Sequence, residues 1–254
     1  MHKEKVNLFG VDFDNLDMKR ALEEIDNIIK INKTRRKHSF VVTPNIDHLV
    51  NIDKSQSFKK IYEQASLKLV DGMPIVLLSK VLKKPLIEKI SGADLTPELI
   101  EMANNKGYRV FIFGSNEGVA DTVVNIYKQR FGNEFQIECY SPPFGFENNE
   151  YELNKSIEKI NGFSPDILLV SLGSPKGEYF IYNNINLVNV PISLQVGASI
   201  DFIAGTVKRA PVWMQKSSLE WFYRFIQEPK RMFKRYFIND VAFIKIVLKE
   251  LVGK

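Results

Sequence analysis

The chain has 254 residues, 44% of them hydrophobic, and a net charge of +5 at pH 7, enough for one large α/β domain or two small ones with a sizeable core. No run of eighteen apolar residues occurs and the start, MHKEKVNLFGVDFD, has no apolar h-region, so neither a transmembrane helix nor a secretory signal is expected. A single cysteine, Cys139, excludes an internal disulfide and fits a reducing cytoplasm.

In chain order, a short strand or hairpin is predicted over Val6–Phe13 and a helix over Met18–Ile31. A strand at Ser39–Val42 leads into a helix at Pro44–Asp53, with Thr43 as N-cap and Pro44 in the first helical position. A helix at Phe58–Ala65, a strand at Leu67–Val70 and helices at Pro74–Leu82 and Leu95–Asn105 follow. Strands at Arg109–Phe113, Phe135–Cys139, Ile167–Val170 and Ile192–Val196 then alternate with helices at Val119–Phe131, Glu150–Asn161 and Glu178–Asn184. This alternation is the mark of a parallel sheet covered by helices. Beyond Pro211 only helical patterns remain, which divides the chain into an α/β body, 1–207, and a helical appendage, 208–254. The appendage holds eleven Lys/Arg against four Asp/Glu, whereas the body is slightly acidic. Its aromatics, among them Trp213, Trp221, Phe222, Tyr223 and Phe225, are interleaved with these cations. Such a stretch suits a membrane interface with lipid phosphates, or packs its aromatics on the body. No nucleic-acid-binding signature accompanies it.

Several strands end in polar or glycine-bearing turns: VVTPNIDH, LVDG, FIFGSNEG, LLVSLGSPKGE and LQVGAS. In open parallel sheets ligands bind outside the carboxyl ends of the strands, so these turns are where chemistry is expected. Thr43 and Asn45 stand where a strand end meets a helix N-terminus, a place suited to a diphosphate. Gly114 and Ser115, in FGSNEG, either cradle a phosphate or form a plain βα turn; the spacing matches neither GxGxxG nor a Walker loop. The DFD of Asp12–Asp14 imitates a metal-binding DxD but also reads as a cap or turn, and three histidines with one cysteine show no zinc spacing. Asp47 and His48 are adjacent on a helix and so point about 100° apart. Asp71 is the best-placed carboxylate. It follows a strand, precedes Gly72 and Pro74, and serves either as a helix cap or as a general base at the crevice rim.

Read together, TPNIDHLV, LVDGMPIV, SGADL, FIFGSNEG, LGSPKGE and VGASIDFIAGTVKRAPVWMQKSSLEWFYRFIQEPKRMFKRY closely resemble the WecG/TagA/CpsF family of bacterial glycosyltransferases, over about residues 6 to 240. The resemblance implies a Rossmann-like α/β fold with helices on both faces, and a C-terminal appendage that docks on the inner face of the cytoplasmic membrane. It implies an inverting transfer from a UDP-sugar, such as UDP-N-acetylmannosamine, to a sugar on a polyprenyl diphosphate. No metal or other cofactor is expected, the product feeds teichoic acid, capsule or exopolysaccharide synthesis, and self-association in solution is compatible with an exposed docking surface. By the same resemblance Asp71 is the catalytic base and Thr43 and Asn45 belong to the donor crevice. Arg224 and Arg231 then meet the diphosphates, with Arg209 and Arg235 as further candidates. The sequence departs from the family pattern at Gly177, where glutamine is usual. It departs also at Lys89 and Lys234, which keep the charge of an arginine but not its bidentate fork. Two other readings are a nucleotide-binding oxidoreductase, against which the missing dinucleotide fingerprint counts, and a non-enzymatic module that binds anionic polymers through the basic tail.

Overall fold

Six short strands form a parallel sheet in the order β4-β3-β8-β7-β5-β6, where β3 is Ser39–Val42, β4 Leu67–Lys68, β5 Val110–Gly114, β6 Ile137–Tyr140, β7 Ile167–Ser171 and β8 Ile192–Gln195. A separate antiparallel hairpin, β1 (Lys5–Leu8) and β2 (Val11–Asp14), precedes it. The computed structural model describes residues 4–211, 213–214, 219–227, 229 and 240–252. Within them all six expected strands are present, and the Rossmann-like expectation of helices on both faces is met.

The two faces follow from strand periodicity, because alternate side chains point to opposite sides. Phe40, Val42, Phe111, Phe113, Leu168 and Val170 enter one core, while Val41, Val110, Ile112, Ile167, Leu169, Ile192 and Leu194 enter the other. The first face is covered by α2 (Ile46–Lys54), α3 (Gln56–Gln64), α4 (Met73–Val81), α7 (Glu150–Phe163) and α8 (Lys176–Asn183). The second is covered by α1 (Met18–Arg35), α5 (Gly92–Lys106), α6 (Val119–Phe131) and α9 (Ser199–Ala204). The chain therefore leaves β3, β7 and β6 toward one face, and β8 and β5, which lie between them, toward the other. Turns that splay in alternate directions open a groove along the whole carboxyl edge of the sheet.

Two departures from the sequence expectation bear on the site. Helix α2 begins at Ile46 and its N-cap is Asn45, not Thr43. Asn45 and His48 form a reciprocal capping box, and Thr43, preceding a proline, favours extended backbone. Helix α9 has no counterpart in the sequence reading; six residues are too few for a helical period to show. At the C-terminal end, α10 (Glu220–Gln227) and α11 (Asp240–Val252) are described. Helix α11 packs beside α2 and buries Phe243 and Ile246 in the first core, with Phe9 and Phe243 edge to face at 5.1 Å. Glu250 fixes its far end, accepting from Phe9 N at 3.0 Å and pairing with Lys84 at 2.6 Å.

Candidate active site

The groove is a cleft of about 1560 Å³ lined by residues that follow every one of the six parallel strands. Five strand-to-strand steps of about 4.8 Å make its floor about 24 Å long. That is room for two substrates end to end.

At the β3–β4 end, the chain beyond β4 stays alongside the turn that follows β3: Leu69 N donates to Val42 O at 3.0 Å and Asp71 N to Pro44 O at 3.0 Å. Asp71 is thereby held beside Thr43 and Asn45, and all three line the cleft. The N-cap of α4 falls on Gly72, with φ 137°, a value that favours glycine. Of the two readings of Asp71 in sequence, helix capping thus passes to its neighbour, and the carboxylate stands half-buried at the rim.

Beneath this rim lies a buried polar group that sequence reasoning missed. Asn45 N donates to His48 Nδ1 at 3.0 Å, so the ring's proton sits on Nε2, which faces Glu178 Oε1 at 3.3 Å. Tyr62 donates its hydroxyl to the same oxygen at 3.2 Å, while Glu178 Oε2 is buried with no hydrogen-bond partner among the described residues. Burial pushes the Glu178 carboxyl up, but the hydrogen bond from His48 outweighs it and the group is held below its ordinary value. Burial, then Glu178, then Asp71 raise the Tyr62 phenol well above its own, so it remains a donor. His48, Tyr62 and Glu178 come from three helices, and only their convergence on one core reveals the constellation. The one hint in sequence was His48 three residues after an asparagine that could cap.

At the other end, the turn after β5 reaches the cleft through Ser115, Asn116 and Glu117. Gly114 does not line it. Its φ is 101°, and a Cβ there would meet Ser171 O at 2.7 Å, so it serves the close approach of β5 to β7 rather than a ligand. Ser115 N is taken by Ser171 O, leaving its buried Oγ without a partner among the described residues. Between the two ends Gly177 lies against Gln195: a Cβ at 177 would meet the Gln195 amide at 2.8 Å. That amide braces the floor, donating to Leu172 O at 2.8 Å and accepting from Gly197 N at 2.7 Å.

A model of the glycosyl transferase WecG/TagA/CpsF family matches residues 6–254. The chain belongs to that family. It is similar to the N-acetylglucosaminyldiphosphoundecaprenol N-acetyl-beta-D-mannosaminyltransferases of Staphylococcus aureus strains MW2 and NCTC 8325 / PS 47. Each is 31% identical over 228 residues, covering 90% of this chain and 87% of the relative.

In this glycosyltransferase the cations expected from sequence are only partly in place around the cleft. Lys89 lines it, paired to Asp94 at 2.9 Å and to Glu220 of α10 at 3.9 Å. Arg209 stands outside the lining and is bonded to the same two carboxylates, Asp94 and Glu220. Burial pushes Asp94 up, but the Ser91 hydroxyl, Lys89 and Arg209 together hold it at about 2. The quartet ties the start of α5 to the start of the C-terminal helices. Arg231, Lys234 and Arg235 lie outside the described residues, as does the side chain of Arg224. The DFD carboxylates are structural pins: Asp12 accepts from Asn7 at 2.7 Å and Asp14 from Lys68 N at 2.9 Å, joining β2 to β4. Among the described residues no helix is long and apolar enough to cross a membrane.

Proposed function

We propose that this glycosyltransferase moves a hexose, N-acetylmannosamine or a close relative, from UDP to a sugar carried on a polyprenyl diphosphate. Transfer inverts the anomeric centre, needs no metal, and serves teichoic acid, capsule or exopolysaccharide synthesis. The observation that carries this reading is Asp71, a carboxylate held at the rim of a two-substrate cleft beside Thr43 and Asn45. The names of the relatives support the acceptor and the sugar.

In outline, Asp71 takes the proton of the acceptor hydroxyl as that oxygen bonds to the anomeric carbon and the bond to UDP breaks on the opposite side. The electron pair leaves with the diphosphate, whose growing charge is met by lysines and arginines of the cleft and the C-terminal stretch. The enzyme works on the inner face of the membrane, where its basic, aromatic C-terminal residues meet lipid phosphates and bring the cleft to the lipid-linked acceptor. Residues 1–207 form the catalytic body and 208–254 the docking appendage.

The test is a transfer assay with a panel of UDP-hexoses and a short-chain prenyl diphosphate-linked N-acetylglucosamine, comparing wild type with Asp71→Asn in EDTA. Turnover with one donor, lost in the variant and indifferent to chelation, is the expected result. Equal turnover by the variant removes Asp71 from the mechanism, and dependence on added divalent cation removes the metal-free route. Analysis of the product's anomeric configuration reports inversion or retention.

A further inference from the structure

The turn after β6, residues 141–149, carries Phe144 fully exposed to solvent yet within the lining of the cleft. Its neighbours are fixed. Ser141 Oγ donates to Gly114 O at 2.9 Å, Pro142 and Pro143 stiffen the approach, and Phe146 N closes a turn onto Pro143 O at 3.1 Å. Phe146 itself is buried between Phe113 and Phe180, with ring centroids at 5.5 and 5.8 Å. An anchor two residues away thus fixes the backbone at Phe144, whose ring stands exposed at the cleft. Full exposure of a phenylalanine forfeits about 1.5–3 kcal/mol of available burial, so a ligand that covers a ring displayed on the cleft lining gains that burial. The Lys176 ammonium lies over one face of the ring, 4.9 Å from its centroid, and pairs with Glu147, which leaves the other face open beside a cation. Lys155 and Ser115, whose Oγ has no partner among the described residues, line the same end.

We infer that Phe144 is the stacking platform for the base of the nucleotide donor, with Lys176 beside it for the diphosphate. This inference rests on the nucleotide-sugar donor of the proposed function and gives the cleft a direction. Of the two substrates in that reading, only the donor has an aromatic base, and stacking needs a π-face. The diphosphate then follows the floor from Lys176 toward β7 and β8, and the sugar reaches Thr43, Asn45 and Asp71. The acceptor enters from the β4 side, where α4 leaves the cleft at Met73 and Pro74 and carries Leu77 and Val81 exposed beside Lys80 and Lys84. An apolar stripe flanked by lysines suits a prenyl chain and its lipid surroundings.

The experiment is calorimetric titration of the full-length enzyme with UDP and, separately, with prenyl-free N-acetylglucosamine diphosphate, for wild type, Phe144→Ala and Phe144→Trp. Steady-state KM values are measured for donor and acceptor. Because Phe144 is fully exposed, the variants are expected to melt as wild type does. Phe144→Ala is expected to weaken UDP by about tenfold to a hundredfold and to raise the donor KM alike, with Phe144→Trp restoring both and the acceptor KM unmoved. UDP binding that is unchanged in Phe144→Ala overturns the platform while leaving the nucleotide donor intact. Loss confined to the sugar diphosphate reverses the direction assigned to the cleft. A wild-type enzyme that binds no UDP removes both the platform and the UDP donor, whereas transfer activity with that donor in the same preparation would return the fault to the platform alone.

Discussion

The two ends of the cleft are built on opposite principles. At the β3–β4 end, polar side chains are buried or half-buried and joined: Asn45 to His48, His48 to Glu178, Glu178 to Tyr62, with Asp71 tied by its backbone to the turn above them. At the β5–β6 end the groups facing the cleft are displayed, an exposed ring and lysines paired to carboxylates near the surface, and only the turn beneath them is locked. A proton acceptor must be placed to within tenths of an ångström, and a hydrogen-bonded network beneath it supplies that rigidity. A stacking platform tolerates sliding and gains from open access. The difference is the one the proposed function asks for, a site of bond-making at one end and a site of binding at the other.

The largest effect is expected where the wired end meets the reaction. Asp71→Asn keeps the size of the side chain and removes the base, so kcat should fall about 10²- to 10⁴-fold with UDP binding retained, read by transfer assay and calorimetry. If kcat instead falls by less than tenfold, proton removal is not the function of that end. Next comes His48→Ala, which strips the Asn45 cap of one bond and takes from the Glu178 carboxylate its hydrogen bond to the ring under the cleft. An unfolding loss of about 2–4 kcal/mol in urea titration is expected, larger than for any single substitution at the displayed end.

The floor between the ends offers an intermediate case. Gly177→Ala puts a methyl group against the Gln195 amide, which must leave either Leu172 O or Gly197 N. The expected cost is about 1–2 kcal/mol. Gln195→Ala clears the space, so in the double variant Gly177→Ala should cost less than about 0.5 kcal/mol; a double-mutant cycle in urea reads the coupling. Additive costs would mean that Gly177 matters for its backbone and not for the close packing of α8 on β8.

How far each end was legible in the sequence follows from the same contrast. The strands were readable because β-branched and aromatic residues alternate with helical periods, and Asp71 was readable because a strand, a glycine and a proline surround it within six residues. The two readings of Gly114, phosphate cradle or plain βα turn, could not be separated because a glycine required by a neighbouring strand's backbone looks, in sequence, like one required by a ligand. The N-cap was placed at Thr43 by the familiar pairing of threonine with proline, but the His48 ring made Asn45 the better cap. Glu178 stood in plain view within LGSPKGE, yet its partners lie 116 and 130 residues away in sequence, and no local period reports such a distance. Phe144 was passed over because exposure is a property of the folded turn, fixed by the burial of Phe146.

Smaller effects test the same contrast from its margins. Asp94, on the β4 side, is held at about 2 against an ordinary 3.8. A carboxyl depressed on folding contributes stability that is present above pH 4 and lost as pH falls toward 2. Wild type should therefore lose melting temperature over that window more steeply than Asp94→Asn, by thermal melts at half-unit steps; parallel curves would show that Lys89 and Arg209 do not depend on the Asp94 charge. Smallest of all should be Glu147→Gln at the displayed end. The Lys176–Glu147 pair is about one-third exposed on both sides, and pairs of that kind contribute little because solvent screens them and ordering two side chains costs entropy. A change within about 0.5 kcal/mol in urea titration is expected, together with an unchanged melting temperature in 0.5 M salt. A loss comparable to that of His48→Ala would mean that the displayed end is wired as tightly as the other, and that its openness to a ligand's ring has to be given up.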